Sequence, residues 1–205
     1  MKKYFSEEHI MLKQMVREFA EKEIRPMVQS IDSNSQFPSE IIKKMSELGL
    51  LGIPWDEKYG GGGMDTLSLV IVIQELAKAC VSTAATVMAH TSLGTGPFQY
   101  FGTEQQKEKY LSKLASGEML GSFGLTEPNA GSDANSGKTT AELTPDKKYY
   151  KINGQKMWIS NAGFAKLFIV FARIENDKNI TAFIIEKEEN NGMVSVSYTH
   201  LRAHE

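Results

Sequence analysis

Residues 119–133 read MLGSFGLTEPNAGSD, and the fold turns on them. Upstream, apolar side chains recur at the three-and-four spacing of helices, whereas from Leu120 onward they come in short runs of the kind strands make. Directly after the run Leu120 to Leu125, the stretch 124–133 packs two glycines, a proline, two carboxylates and two hydroxyls into ten positions. Such a stretch is either a surface turn or a loop shaped around a polar ligand. Thr126 and Ser132 can donate and accept hydrogen bonds, and Gly131 permits positive φ or a close backbone approach. Successive amide N–H groups in a turn can cradle an anion. The spacing is neither GxGxxG after a strand nor GxxxxGK[ST], so composition by itself does not identify a nucleotide site.

The segments upstream are helical. Ser6 is positioned to cap a helix with Glu7 and Glu8 in its first turn, and Leu12, Val16, Phe19, Ala20 and Ile24 then fall on one stripe. A second helix is expected from about Ser39 to Leu48, closed by Gly49. The four glycines Gly60 to Gly63 form a loop. Thr66 to about Cys80 and Ser82 to about Phe101 are apolar nearly all round, as buried helices are. Thr103 and Gln106 match a capping box that opens a fifth helix ending near Ser116-Gly117.

The segments downstream predict strands at Leu120 to Leu125, Tyr149 to Ile152, Lys156 to Ile159, Leu167 to Arg173 and Ile180 to Ile185, with Asn153-Gly154 as a hairpin turn. Helices first and strands second make this an α+β chain. The expected division is 1–117 helical, 118–195 β, and 196–205 a tail that does not continue the pattern.

The chain has 205 residues, 41% of them apolar, enough for a real core. Lys and Arg number 23 against 25 Asp and Glu, a net charge of -2 without a basic block, so nucleic acid is not an expected partner. Cys80 is the single cysteine, which excludes a disulfide within the chain and reads as a buried thiol. No apolar run approaches the ~18 residues of a membrane span and no leader pattern opens the chain, so a cytoplasmic protein is expected. His200 and His204 have i, i+4 spacing but no third ligand nearby, so no metal site is expected. His9 is expected to be exposed near a helix start, and His90 to be a satisfied core residue.

A second polar segment, KMWISNAG at 156–163, puts Trp158 beside the hydroxyl of Ser160 after KINGQK. FGLTEPNAGSDA followed by INGQKMWISNAG resembles the signature segments of the acyl-CoA dehydrogenases. LGLLGIPWDEKYGGGGMD, QELAK and HTSLGTGPFQYFGTEQQKEKYLSKLASGE, in that order, extend the resemblance over roughly residues 4 to 195.

The resemblance implies an all-α N-terminal domain, then a β-barrel-like domain, and a C-terminal four-helix domain that this sequence does not include. It implies FAD as cofactor, with Phe123, Gly124, Leu125, Thr126, Gly131 and Ser132 along it. Leu125 and Thr126 would address the pyrimidine edge of the ring, and Ser132 the pyrophosphate and the acyl-CoA. Trp158 and Ile159 would lie at the flavin, Trp158 covering one face, with Ser160, where the family often has Thr, near its N5. Phe123 replaces a frequent Tyr. The implied reaction takes a proton from Cα of an acyl-CoA and a hydride from Cβ, giving a trans-2-enoyl-CoA. The catalytic base of the family lies in the absent domain; Glu127 and Asp133 are read as loop-structuring. Short-chain substrates, an electron-transfer flavoprotein as acceptor and a homo-oligomer (tetramer or dimer) of the full-length protein complete the implied picture. A nitroalkane oxidase or monooxygenase-like flavoenzyme on the same fold, or a non-catalytic acyl-CoA binding module, remain alternatives.

Overall fold

A computed structural model describes residues 5–175, 177–188 and 192–195. The helical part opens with α1 (Glu7–Phe19), whose capping box is closed by an unexpected partner. Ser6 Oγ accepts the His9 N–H at 3.2 Å, and His9 Nδ1 accepts the Ser6 N–H at 3.1 Å. His9 Nε2 lies 3.0 Å from Asp65 Oδ1, and Asp65 is the N-cap of α4 (Thr66–Ala79). One imidazole therefore joins the N-termini of two helices. This corrects the expectation of an exposed His9: only 12% of its side chain is exposed.

From α1 the chain runs on through the π-helical segment Ala20–Ile24, one 3-10 turn at Arg25–Met27 and α2 (Val28–Ser33). Pro26 lacks a donor, which suits a break in the α ladder here. Helix α3 (Ser39–Glu47) ends as the sequence predicts. Gly49 has φ 70°, its N–H donates to Ser46 at 2.8 Å, and the Leu50 N–H donates to Met45 at 2.9 Å. After α4 come α5 (Val81–Met88), the π-helical segment Ala89–Thr95 and α6 (Gly96–Phe101). The last rod is α7 (Glu104–Gln106), a π-helical turn at Lys107–Leu111 and α8 (Ser112–Ala115), opened by the predicted Thr103–Gln106 box.

Val16, Ile24, Met45, Leu50, Leu51, Val72 and Leu76 are buried in one cluster that reaches the sheet through Phe168 and Val170. Glu75 is buried among them. Burial opposes its charge, but Arg17 at 3.0 Å and Lys78 at 2.7 Å outweigh that cost and hold its carboxyl below the usual range. The glycine loop folds back on the chain before it. Gly62, Gly63 and Met64 donate to the carbonyls of Gly52, Trp55 and Ile53 at 2.8 to 3.0 Å, and a Cβ at Gly61 would lie 2.1 Å from the Trp55 oxygen. Close backbone packing accounts for Gly61 and Gly62, and positive φ, 79° and 60°, for Gly60 and Gly63.

The strands are β1 (Gly121–Gly124), β2 (Thr140–Leu143), β3 (Tyr150–Asn153), β4 (Leu167–Ile174) and β5 (Thr181–Glu186). They form one mixed sheet ordered β1-β4-β2-β3, with β5 also on β4. Strand β4 is the spine: it pairs in parallel with β1 (Gly121 opposite Leu167) and antiparallel with β5, then reaches β2 at Arg173 and Ile174. Leu167 to Val170 are buried, as a strand flanked on both sides requires.

Three expectations are corrected. The sheet is not closed into a barrel: among the described residues β1, β3 and β5 each pair with a single strand. Lys156 to Ile159 is not a strand, because Trp158 takes φ 60° and Lys156 is drawn away to an ion pair. KINGQK is not a hairpin; the antiparallel pair is β2 with β3, and β2 carries no alternating apolar signal because its only buried side chain is Ala141. Among the described residues no helix is long and apolar enough to cross a membrane. The segment 196–205, with His200 and His204, lies outside the described residues.

Candidate functional site

Strand β1 delivers the polar loop. Past Gly124 the chain makes a tight turn in which Glu127 and Ala130 exchange backbone hydrogen bonds at 3.0 and 3.1 Å. The Glu127 carboxylate accepts the N–H of Lys138 at 2.5 Å, that of Thr139 at 3.2 Å and the ammonium of Lys156 at 2.6 Å. Burial works against its charge, yet these donors more than offset it and hold the carboxyl at about 2. Glu127 is thus structural, as the sequence predicts.

The second segment reaches the first through backbone and ammonium. The Met157 N–H donates to the Thr126 carbonyl at 2.9 Å, and Lys156 Nζ donates to the Leu125 carbonyl at 3.1 Å. Ser122 Oγ donates to the Ser160 carbonyl at 2.6 Å. Beyond Ser160, Asn161 adopts φ 65°, and its carbonyl accepts the N–H groups of Phe164 and Ala165. Its side chain donates to the Thr86 carbonyl at 3.1 Å and the Gly121 carbonyl at 3.4 Å, joining α5, β1 and the loop.

His90 ties the same strand to the helices. It is fully buried, Nε2 faces the Leu114 carbonyl at 3.0 Å, and Nδ1 accepts the Gly121 N–H at 2.9 Å. Those partners require the neutral tautomer with its proton on Nε2. Burial pushes its pKa down to about 4, against the pull of the Leu114 carbonyl. His90 is the satisfied core histidine the sequence predicts, and its carrier is the π-helical stretch Ala89–Thr95. Gly94 in that stretch packs on Gly121 so closely that a Cβ on Gly94 would lie 2.6 Å from the Gly121 carbonyl carbon.

Six of the nine cofactor candidates converge. Phe123, Leu125, Thr126, Trp158, Ile159 and Ser160 line one cavity of about 310 Å³, closed on the helical side by Ala89 and Leu93. Gly124 lines an adjoining open groove of about 1460 Å³, which Trp158, Ile159 and Ser160 share. Gly131 and Ser132 line neither; both are exposed in the loop. Gly131 lacks positive φ, and a Cβ there would meet no heavy atom within 4 Å. Trp158 is 71% exposed despite its size. The arrangement sets an exposed indole and the apolar side chains of Leu125 and Ile159 beside the hydroxyls of Thr126 and Ser160. Such a lining suits a flat aromatic group with polar edges. Ala89 and Leu93 had no signal in the sequence beyond the apolar period of a buried helix, and Lys156 had none at all.

Comparison with known proteins shows the family of the chain. The family model for the acyl-CoA dehydrogenase N-terminal domain matches residues 6–118, and that for the acyl-CoA dehydrogenase middle domain matches 122–202. The short-chain specific acyl-CoA dehydrogenase of Clostridium acetobutylicum is 48% identical over 183 residues, covering 88% of this chain and 48% of the relative. A solved acyl-CoA dehydrogenase from Bacillus anthracis, complexed with FAD, superposes with a TM-score of 0.85 at 40% identity over 90% of this chain and 32% of its own. A chain of a structure described as the electron transferring flavoprotein of Acidaminococcus fermentans gives a TM-score of 0.85 at 43% identity, covering 91% and 50%. The chain spans about half the length of the curated relatives it matches.

Proposed function

Because this chain belongs to the acyl-CoA dehydrogenase family, we propose that it forms the helical and sheet parts of an FAD enzyme that oxidises a short-chain acyl-CoA thioester to the trans-2-enoyl-CoA. The observation that carries the reading is the convergence of Thr126, Trp158 and Ser160 on one cavity, cross-linked by the Met157 to Thr126 hydrogen bond. The cavity fits the cofactor by its own chemistry: an exposed indole to cover a ring, and two hydroxyls that can reach polar ring edges.

FAD, when bound, takes up the hydride that leaves the acyl Cβ. The protein's part is to bind and orient. Trp158 and Ile159 would cover the ring, Thr126 and the backbone at Leu125 would address its pyrimidine edge, and Ser160 would offer a hydroxyl toward N5. Phe123, with its ring edge-on to Phe171 at 5.0 Å, supplies packing where a Tyr would add a polar contact. Gly124 is buried beside the Lys156 side chain and brings backbone to the adjoining groove, while Gly131 and Ser132 in the exposed loop would serve the pyrophosphate, Ser132 also the acyl-CoA.

The proton at Cα needs a carboxylate base. Glu127 is unsuited, since four donor contacts and a carboxyl held at about 2 commit it to the fold. We assign the base to residues outside this sequence, electron transfer to an electron-transfer flavoprotein, and a dimer or tetramer to the full-length protein. Full-length protein mixed with butyryl-CoA, FAD and a dye acceptor should reduce the dye, and the 205-residue chain should not. A full-length protein that neither carries nor takes up FAD would defeat the reading.

A further inference from the structure

Lys156 has no part in the roles above, yet it stands two residues before Trp158 and its ammonium reaches across to the Leu125 carbonyl of the other segment. Only 14% of its side chain and 6% of that of Glu127 are exposed, so the pair operates out of water. The ammonium lies 2.6 Å from Glu127 Oε1 and 3.1 Å from the Leu125 carbonyl oxygen, and the next N–H, of Met157, takes the Thr126 carbonyl at 2.9 Å. Three successive groups of one segment (two carbonyls and a carboxylate) are thus engaged by two successive residues of the other.

Holding the carbonyls of Leu125 and Thr126 fixes the peptide planes on either side of the Thr126 Cα, and with them the direction of its Cα–Cβ bond. On the opposite wall, the anchored Lys156 and Met157 set where the chain enters the left-handed conformation of Trp158, at φ 60°. Such a conformation persists in a bulky residue only when its surroundings dictate it. Glu127 is held from its far side by the N–H groups of Lys138 and Thr139, so it is a fixed anchor against which Lys156 pulls.

We propose that Lys156 is a positioning residue that sets the separation of the Thr126 and Trp158 sides of the cavity, acting through Leu125 and Glu127. The inference rests on the reading that FAD occupies this cavity. Its test uses the full-length protein carrying Lys156→Met or Lys156→Arg, with Glu75→Gln as a control that weakens a buried ion pair in the helical layer.

Lys156→Met should bind FAD about tenfold more weakly and shift the absorbance and fluorescence of the bound flavin. Lys156→Arg, which keeps the charge and donors, should recover most of both. Glu75→Gln should lower the melting temperature and leave the flavin spectrum unchanged. In the FAD-free protein, the Met157 amide should exchange about tenfold faster in Lys156→Met than in the wild type. Wild-type flavin affinity and spectrum in Lys156→Met would overturn the proposal, as would equal flavin changes in the Glu75 control. A wild-type protein without FAD affinity would instead sink the cofactor reading, while Met157 exchange would still report whether the clamp exists.

Discussion

Gly94 and Gly121 meet backbone to backbone: a Cβ on Gly94 would lie 2.6 Å from the Gly121 carbonyl carbon, and one on Gly121 would lie 2.9 Å from the Gly94 Cα. This contact sets the π-helical stretch Ala89–Thr95 on strand β1, and so brings Ala89 and Leu93 to the cavity that Trp158 also lines. Neither neighbour is the tip of a flexible side chain, so neither can yield without moving an element.

Gly94→Ala should therefore destabilise the protein by about 1–3 kcal/mol through overpacking. Urea unfolding checks it: the midpoint should fall with an unchanged slope. Gly131→Ala, at a position where an added methyl meets only open space, should leave the midpoint close to that of the wild type.

His90 makes stability depend on pH. Its folded value, near 4, lies below the ordinary 6.5, so the unfolded chain binds the proton more readily. The contribution is complete above about pH 6.5 and is lost as pH falls toward 4, amounting to at most about 3 kcal/mol. Replacing His90 by Leu should remove that slope. It should also cost about 1–3 kcal/mol at neutral pH for each of the two buried groups, the Gly121 N–H and the Leu114 carbonyl, left without a partner. Unfolding midpoints measured from pH 4 to 8 test both statements.

Glu127 acts in a lower window. Its carboxyl is held at about 2 against an ordinary 4.5, so its contribution is present above pH 4.5 and disappears as pH falls toward 2. Glu127→Gln should flatten the acid limb in that range. At pH 7 the same change leaves the buried Lys156 ammonium unpaired, a loss of about 3–5 kcal/mol. Acid titration followed by far-ultraviolet circular dichroism would separate this limb from that of His90.

Trp158 should matter to the ligand more than to the fold. It is 71% exposed and sits at φ 60°, a conformation that Gly adopts without strain. Trp158→Gly should change the melting temperature of the FAD-free protein by no more than the equivalent of about 1 kcal/mol, yet loosen FAD in the full-length protein by at least about tenfold. Retention of the flavin through gel filtration by the variant would contradict the role given to the indole.

Features that depend on neighbours within about four residues are readable directly from the amino-acid order. The Ser6 and Thr103 caps, the Gly49 helix end, the order of helices before strands and the place where the polar loop begins were all legible, because each is a local match between side chain and backbone. The tertiary structure decided the rest. Only contacts across tens of residues turn Trp158 out of a strand, pair Lys156 with Glu127, run His9 on to Asp65, make a strand of Thr140–Leu143 and leave the sheet open. Such contacts have no period along the chain: they follow from which buried charge finds a partner and which two backbones lack a Cβ to keep them apart.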